Sequence, residues 1–347
     1  MAAFLVILLS KFANIRGHAA RPSIPIVLVL ALTVLNLALY PATRHLAHPS
    51  TGPDAMIVPF HRLLRGTDPY TAPLWDGALI SPGPGWWLLN APLTGFGVVA
   101  LLCPLWLGLA TALMARRNVF AAVIFLVTLF TCQDFIAQSV AGHDIFVVNL
   151  AICVVCLLAE QVAIGTAPLV PVAILAGLVA TARVPLIILI PTIGLGLARR
   201  NSQTGKRFIW LASAVAISLH LVFAAWAAWD GTFYQPLHVF ARARGGAGAE
   251  SIIISAIATC AAARWVIIHA RHTAAQLMFS CWLIEFCLFA PIGFGELVNV
   301  NHFTLSAWEG RNYVAWSLPL LCGYLGLYFA LGPLNLAQAR ESGSAPN

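Results

Sequence analysis

PLVPVAILAGLVATARVPLIILIPTIGLGLARRNSQTGKR, residues 168–207, decides how the chain is read. From 168 to 198 it is apolar apart from Thr181-Ala182-Arg183-Val184-Pro185, and it then runs into Arg199, Arg200, Lys206 and Arg207. A bilayer core takes about 20 apolar residues in one helix, so this run is too long for one untilted span. Proline removes a backbone donor and keeps its predecessor out of the helical region. The stretch therefore reads as two short helices that meet near Arg183 on the outer side, with both other ends cytoplasmic. That arrangement puts the following basic cluster inside, where loop lysines and arginines orient membrane proteins. A single tilted span would reverse every later segment.

The whole chain is of this kind. Of 347 residues 60% are hydrophobic and 9% charged, with mean hydropathy +0.87. A soluble domain carries about 25% charged residues, so this chain cannot cover itself with a solvated surface. Lipid offers no partner to backbone N–H and C=O, which leaves helices or a closed barrel. The apolar runs are continuous rather than alternating, so the fold class is all-α: a polytopic integral membrane protein, 1–347 as one transmembrane domain, with about ten spans. The net charge of +7 is assigned to cytoplasmic loops, and no nucleic-acid partner is expected. The eight cysteines lie in apolar runs, and the Cys153-x-x-Cys156 pair falls mid-span, where packing is the default role. No disulfide is expected.

Residues 1–23 do not read as a signal peptide, because Lys11 interrupts the apolar core and the charges follow it. They read as a cytoplasmic interfacial segment. Further spans are expected at 24–40, from about 86 to Arg116-Arg117, and at 119–133, 145–160, 208–229, 252–270, 274–291 and 313–331. Residues 41–86 form an outer loop, and 332–347 a cytoplasmic tail ending in a disordered ESGSAPN. Both termini are then cytoplasmic, in a plasma (inner) membrane.

With that topology, the basic residues left outside run against the orientation rule and need another role. They are Arg62, Arg65, Arg183, Arg242, Arg244 and Arg311. The outer acids are Asp54, Asp68, Asp76, Asp134, Asp144, Asp230, Glu250, Glu296 and Glu309. Acids and arginines interleaved on one face point to an outward-facing polar site. The first outer loop is the richest part. Ile57, Phe60, Leu63 and Leu64 share one face of a short amphipathic helix, with His61, Arg62 and Arg65 off it. Gly66 ends the helix and Thr67-Asp68-Pro69-Tyr70 reads as a turn.

An acid after the first span, a short amphipathic helix, L-L-R-G-T-D-P-Y (63–70) and a Pro-rich aromatic stretch together resemble the GT-C glycosyltransferases. The group most similar is family 87, the polyprenyl-phosphate-mannose-dependent α-mannosyltransferases and their uncharacterised relatives. Ser81-Pro82-Gly83-Pro84 and Ala182-Arg183-Val184-Pro185-Leu186 are weaker echoes, as is Arg199-Arg200. The motifs cover about the first hundred residues; Pro59 within the helix and Arg183 in place of a lysine depart from the pattern. The resemblance implies a donor sugar carried on a polyprenyl phosphate, an early outer-loop aspartate as general base, and a lipid or glycan acceptor. Membrane lipids are the remaining partners.

The chemistry has its own logic. An acceptor hydroxyl attacking an anomeric carbon passes through an oxocarbenium-like state, and a carboxylate accepts the hydroxyl proton. The leaving lipid phosphate calls for cations, which arginine supplies as a planar fork. Asp54 is the candidate base; its plainer role is a helix N-cap before Ala55. Arg183, Arg242 and Arg244 are the candidate phosphate ligands, Arg183 otherwise being a snorkelling charge paired with an outer acid. Substrate contacts are assigned to His61, Arg65, Asp68, Tyr70, His143, Asp144 and Arg311. Asp68 also suits a purely structural turn, and His143-Asp144, like Gln133-Asp134, simple helix-end polarity. Trp86, Trp87 and Trp229 read as interfacial belt residues. No P-loop, H-E-x-x-H or G-x-S-x-G pattern occurs, and no metal or cofactor is expected. The functional expectation is an inverting membrane hexosyltransferase; a transporter or lipid flippase and an inactive scaffold of the same fold are the alternatives.

Overall fold

The computed structural model describes residues 23–46, 49–305, 308 and 310–341, without the side chains of 242 and 332–341. Expectations for residues 1–22, Glu309 and 342–347 lie outside these, as does the Arg242 side chain. All regular structure among the described residues is helical. The main elements are α1 (Ser23–Arg44), α2 (Gly52–Leu64), α3 (Pro84–Leu89), α4 (Leu102–Ala115), α5 (Val119–Phe130), α6 (Gln133–Val140) and α7 (Ile145–Ala163). They continue with α8 (Leu169–Ala180), α9 (Leu189–Ala198), α10 (Ser202–Trp229), α11 (Ala249–His269), α12 (Ala274–Asn299) and α13 (Leu318–Glu341).

Six helical segments are long and apolar enough to cross a membrane: α1, α7, α10, α11, α12 and the stretch Arg311–Leu331. The bent pair α5–α6, turning through 84°, makes a seventh if it counts as one span. The protein is thus a multi-pass membrane protein, with fewer full-length helices than the ten spans expected. The difference lies in segments that break. The second expected span is interrupted at Asn90 and at Gly97, whose φ is +71°, so its continuous helix covers only Val99–Ala115. Residues 168–198 form α8, a 3-10 turn Val184–Ile188, and α9.

That last stretch folds as a V against α10. Gly177 of α8 packs on Ala212 and Val215, while Gly194 of α9 packs on Ile209 and Gly205, and Gly205 in turn on Ala198. Both limbs therefore descend towards the N-terminal end of α10, and the apex at Thr181 lies level with His220, through Gly83. Gly205, Ala212 and Ala216 form the buried stripe that lets three helices approach closely. The apex follows from one missing donor. Pro185 has no N–H for the Thr181 carbonyl, and the Gly83 N–H takes that place at 3.0 Å. A side chain at residue 83 would sit 2.1 Å from that carbonyl oxygen, so only glycine fits.

The central helix is α7, most of it buried, whereas α1 is peripheral. Arg117 pairs with Glu160 and also donates to the Leu157 carbonyl; Arg199 donates to the carbonyls that end α11. These groups hold the end of the bundle opposite the Arg183 apex. All eight cysteines are free.

Candidate functional site

At the Arg183 end, two arginine–carboxylate pairs form. Arg183 lies in extended backbone just before its 3-10 turn, which aims its side chain at the start of α7. Nη1 donates to Asp144 Oδ2 and Nη2 to Oδ1, both at 3.0 Å. Asp144 is 1% exposed and Arg183 8%. Trp86 Nε1 also donates to Asp144 Oδ2 at 3.0 Å, His143 Nδ1 lies 3.5 Å from Oδ1, and the guanidinium carbon stands 5.3 Å from the Trp316 ring centroid. Burial alone would raise the Asp144 carboxyl, but Arg183 and His143 outweigh it and hold the group below the usual carboxylate range.

The second pair joins α1 to α2. Arg44 Nη2 donates to both carboxylate oxygens of Asp54, at 2.9 and 3.0 Å, and Nη1 to the Ser50 carbonyl. Trp75 Nε1, on a largely exposed side chain, donates to Asp54 Oδ2 at 3.0 Å. Asp54 is not the N-cap of its helix: Thr51 holds that position, and Asp54 stands in the first turn, where a negative charge suits the helix dipole. The two pairs share a boundary. The His143 ring packs on Gly52, where a Cβ would sit 2.6 Å from it, and Gly142 packs on Pro53 and Tyr40.

A third cluster closes the first loop over the bundle. Asp68 accepts from the Tyr70 N–H at 2.9 Å and from Thr232 Oγ1 at 2.7 Å. Tyr70 donates its hydroxyl to the Pro82 carbonyl and accepts from Trp87 Nε1; burial pushes this phenol well above its usual value, so it stays a donor. Gln235 receives the Ile80 N–H and donates to the Tyr70 carbonyl. Asp68 and Tyr70 therefore anchor a clasp between this loop and the segment after α10. The expectation for Trp86 and Trp87 is corrected: both are fully buried and donate inward instead of lying in an interfacial belt, whereas Trp229 is 90% exposed.

In α2 the buried stripe is Gly52, Pro53, Met56 and Pro59, with Phe60 against Gly95; Leu64 is exposed. His61, Arg62 and Arg65 line an open groove of about 430 Å3 with Ile57 and Val58. Arg62 is anchored to the Pro69 and Ala72 carbonyls, while His61 and Arg65 are exposed. Arg244 is also exposed, and Arg311 stands 3.9 Å from Asp134 on the surface, so neither joins the Arg183 cluster.

Sequence reasoning missed Arg44, Trp75 and Trp316. Arg44 closes a helix expected to end at residue 40, and its signal was a cation ten residues before Asp54. Among the described residues, no group of three or more His, Cys, Asp or Glu is placed to hold a metal ion. Comparison with protein-family models, with curated proteins and with solved structures finds no match to this chain.

Proposed function

We propose that this chain is a GT-C-type membrane glycosyltransferase, moving a mannose-like hexose from polyprenyl phosphate to a lipid or glycan acceptor at the outer face. The observation that carries the reading is the pair of arginine–carboxylate contacts, Arg44–Asp54 and Arg183–Asp144, abutting through His143 and Gly52 at one end of the bundle. An arginine fork that holds a carboxylate also holds a phosphate. When the donor phosphate engages Arg44, it displaces Asp54, and the released carboxylate accepts the proton of the acceptor hydroxyl. The bond from the anomeric carbon to the acceptor oxygen forms as that to the phosphate oxygen breaks, with inversion. Arg183 remains the second phosphate ligand, in exchange for Asp144. The V-shaped α8–α9 pair enters and leaves from the cytoplasmic side, and both termini are cytoplasmic, in a ten-segment count of the inner membrane.

The experiment is transfer of labelled mannose from a short-chain polyprenyl phosphate mannose to membrane lipid extracts, in detergent, by wild type and by Asp54→Asn. Transfer that depends on Asp54 supports the reading, and equal transfer by both ends it. A transporter or flippase is the second reading, favoured by Glu285 and Asn149, two fully buried polar side chains within the bundle. Movement of the intact lipid-linked sugar across reconstituted vesicles, without new glycosidic product, would decide for it.

A further inference from the structure

Glu285 lies midway along α12, fully buried, and neither carboxyl oxygen has a hydrogen-bond partner among the described residues. It faces Asn149 on α7, with the thiols of Cys153 and Cys281 nearby. Among the described residues no Lys, Arg or His forms an ion pair with it. Asn149 is itself fully buried, and its Oδ1 accepts no hydrogen bond from the described residues. Its Nδ2 donates to the Trp316 carbonyl at 3.0 Å. That carbonyl is free for a reason in the sequence: Pro319 has no N–H to offer, and the Leu320 N–H turns to Ser317 instead. One turn beyond Glu285, the Phe289 ring stacks on Trp316 at 5.3 Å, and Trp316 also carries the Arg183 guanidinium.

An isolated carboxylate in a lipid-embedded bundle has a very large desolvation cost, and such groups neutralise instead. A neutral acid has one O–H to donate, and Asn149 Oδ1 is the unused acceptor beside it. We propose that Glu285 is held as the neutral acid, donates to Asn149 Oδ1, and through Asn149 fixes Trp316 where it supports Arg183. Glu285 is then a positioning residue. It acts about 7.5 Å along α7 from the Asp144–Arg183 pair, the five-residue rise from 144 to 149. The consequence for donor affinity rests on the proposed glycosyltransferase reading; the bond itself does not.

Infrared spectra of the full chain in nanodiscs at neutral pH test the bond. A protonated-carboxyl carbonyl band is expected, absent in Glu285→Gln, shifted in Asn149→Leu and unchanged in Asp54→Asn. No such band, or a band indifferent to Asn149→Leu, overturns the proposal. The second arm measures KM for the short-chain polyprenyl phosphate mannose. Glu285→Gln, which still has an N–H to donate, should keep the wild-type KM. Glu285→Leu should raise KM several-fold with kcat little changed, even if it unfolds at a higher temperature. Unchanged KM in Glu285→Leu, where Arg183→Ala raises it, overturns the positioning role. If Arg183→Ala also leaves KM unchanged, the donor reading of Arg183 is what fails, and the infrared arm alone judges the bond.

Discussion

Arg183 and Asp144 meet fork to fork, two contacts of 3.0 Å between the apex of a broken helix pair and the first residue before the central helix. Each answers the other's problem. The arginine leaves the chain at a proline-forced break, and the aspartate stands buried where a lone charge would be untenable. Trp86 completes the carboxylate from a third segment, so one pair ties the first loop, α7 and the α8–α9 apex together.

Removing one partner should therefore cost more than removing both. Arg183→Ala or Asp144→Ala leaves a buried unpaired charge, which costs about 3–5 kcal/mol. The double variant Asp144→Asn with Arg183→Gln keeps hydrogen bonding without charge and should recover much of that loss. Thermal unfolding in detergent reads the difference. Single variants as stable as wild type would show the pair to be incidental.

The same pair sets a pH dependence. The Asp144 carboxyl is held below its usual value in the folded protein. A depressed carboxyl contributes stability that is complete above the unfolded value, about 3.9, and lost as pH falls towards the folded one. The stability gap between wild type and the double variant should stay constant from neutrality to about pH 4 and narrow only below it. A gap that closes between pH 7 and 5 contradicts this.

What the sequence made legible was what depends on local composition. Apolar runs announced the helices, and Pro185 announced the break between α8 and α9. The short-range turn at Asp68 was also readable, because an aspartate bonding two residues ahead is a local event. Partner choice was not. Nothing near Arg183 in sequence points to Asp144, 39 residues away, and Trp86 looks like any interfacial tryptophan until α7 is packed beside it. Helical spacing puts Leu64 on one face with Ile57, Phe60 and Leu63, but the buried stripe of α2 runs through Met56 and Pro59 and leaves Leu64 exposed. Glu285 drew no notice in an apolar run, since its meaning comes from Asn149 across the bundle.

The topology is testable at single sites. Residue 68 is buried, so Thr67 and Gln203, both exposed, are the positions to label. In a Cys260→Ser background, which removes the exposed native thiol, Thr67→Cys should react with an impermeant maleimide on intact cells. Gln203→Cys should react only after permeabilisation. Labelling of both from one side would undo the V-shaped reading of 168–198 as a cytoplasm-to-cytoplasm excursion.

The clasp around Asp68 predicts a purely structural response. Asp68→Asn can still accept from Tyr70 N–H and donate to Thr232, so its unfolding temperature should stay near wild type. Asp68→Ala leaves the Tyr70 N–H buried and unpaired, at a cost of about 1–3 kcal/mol. Turnover per folded molecule should change little in either variant. A large loss of turnover in a stable Asp68→Asn protein would move Asp68 from the clasp to the chemistry.

Asp54 needs a design that separates its bond to Arg44 from any proton it takes. Asp54→Asn keeps the shape but leaves Arg44 without its counter-charge, so some stability should go with it even if Asp54 has no chemical role. Arg44→Gln combined with Asp54→Asn removes both charges and should restore the stability. If Asp54 only holds Arg44, the double variant should transfer sugar as well as its stability allows. If Asp54 is the base, the double variant should fold and still lose turnover by about 10²–10⁴, because an amide cannot accept the proton. Arg44→Gln alone is the informative control. It frees the carboxylate but removes the proposed phosphate ligand, so KM for the donor should rise while turnover at saturation persists. Transfer from the short-chain polyprenyl phosphate mannose, followed with thermal unfolding on the same preparations, gives all three values. A double variant that is both stable and fully active would end the assignment of Asp54 and leave Asp144, on the far side of His143, as the carboxylate to test next.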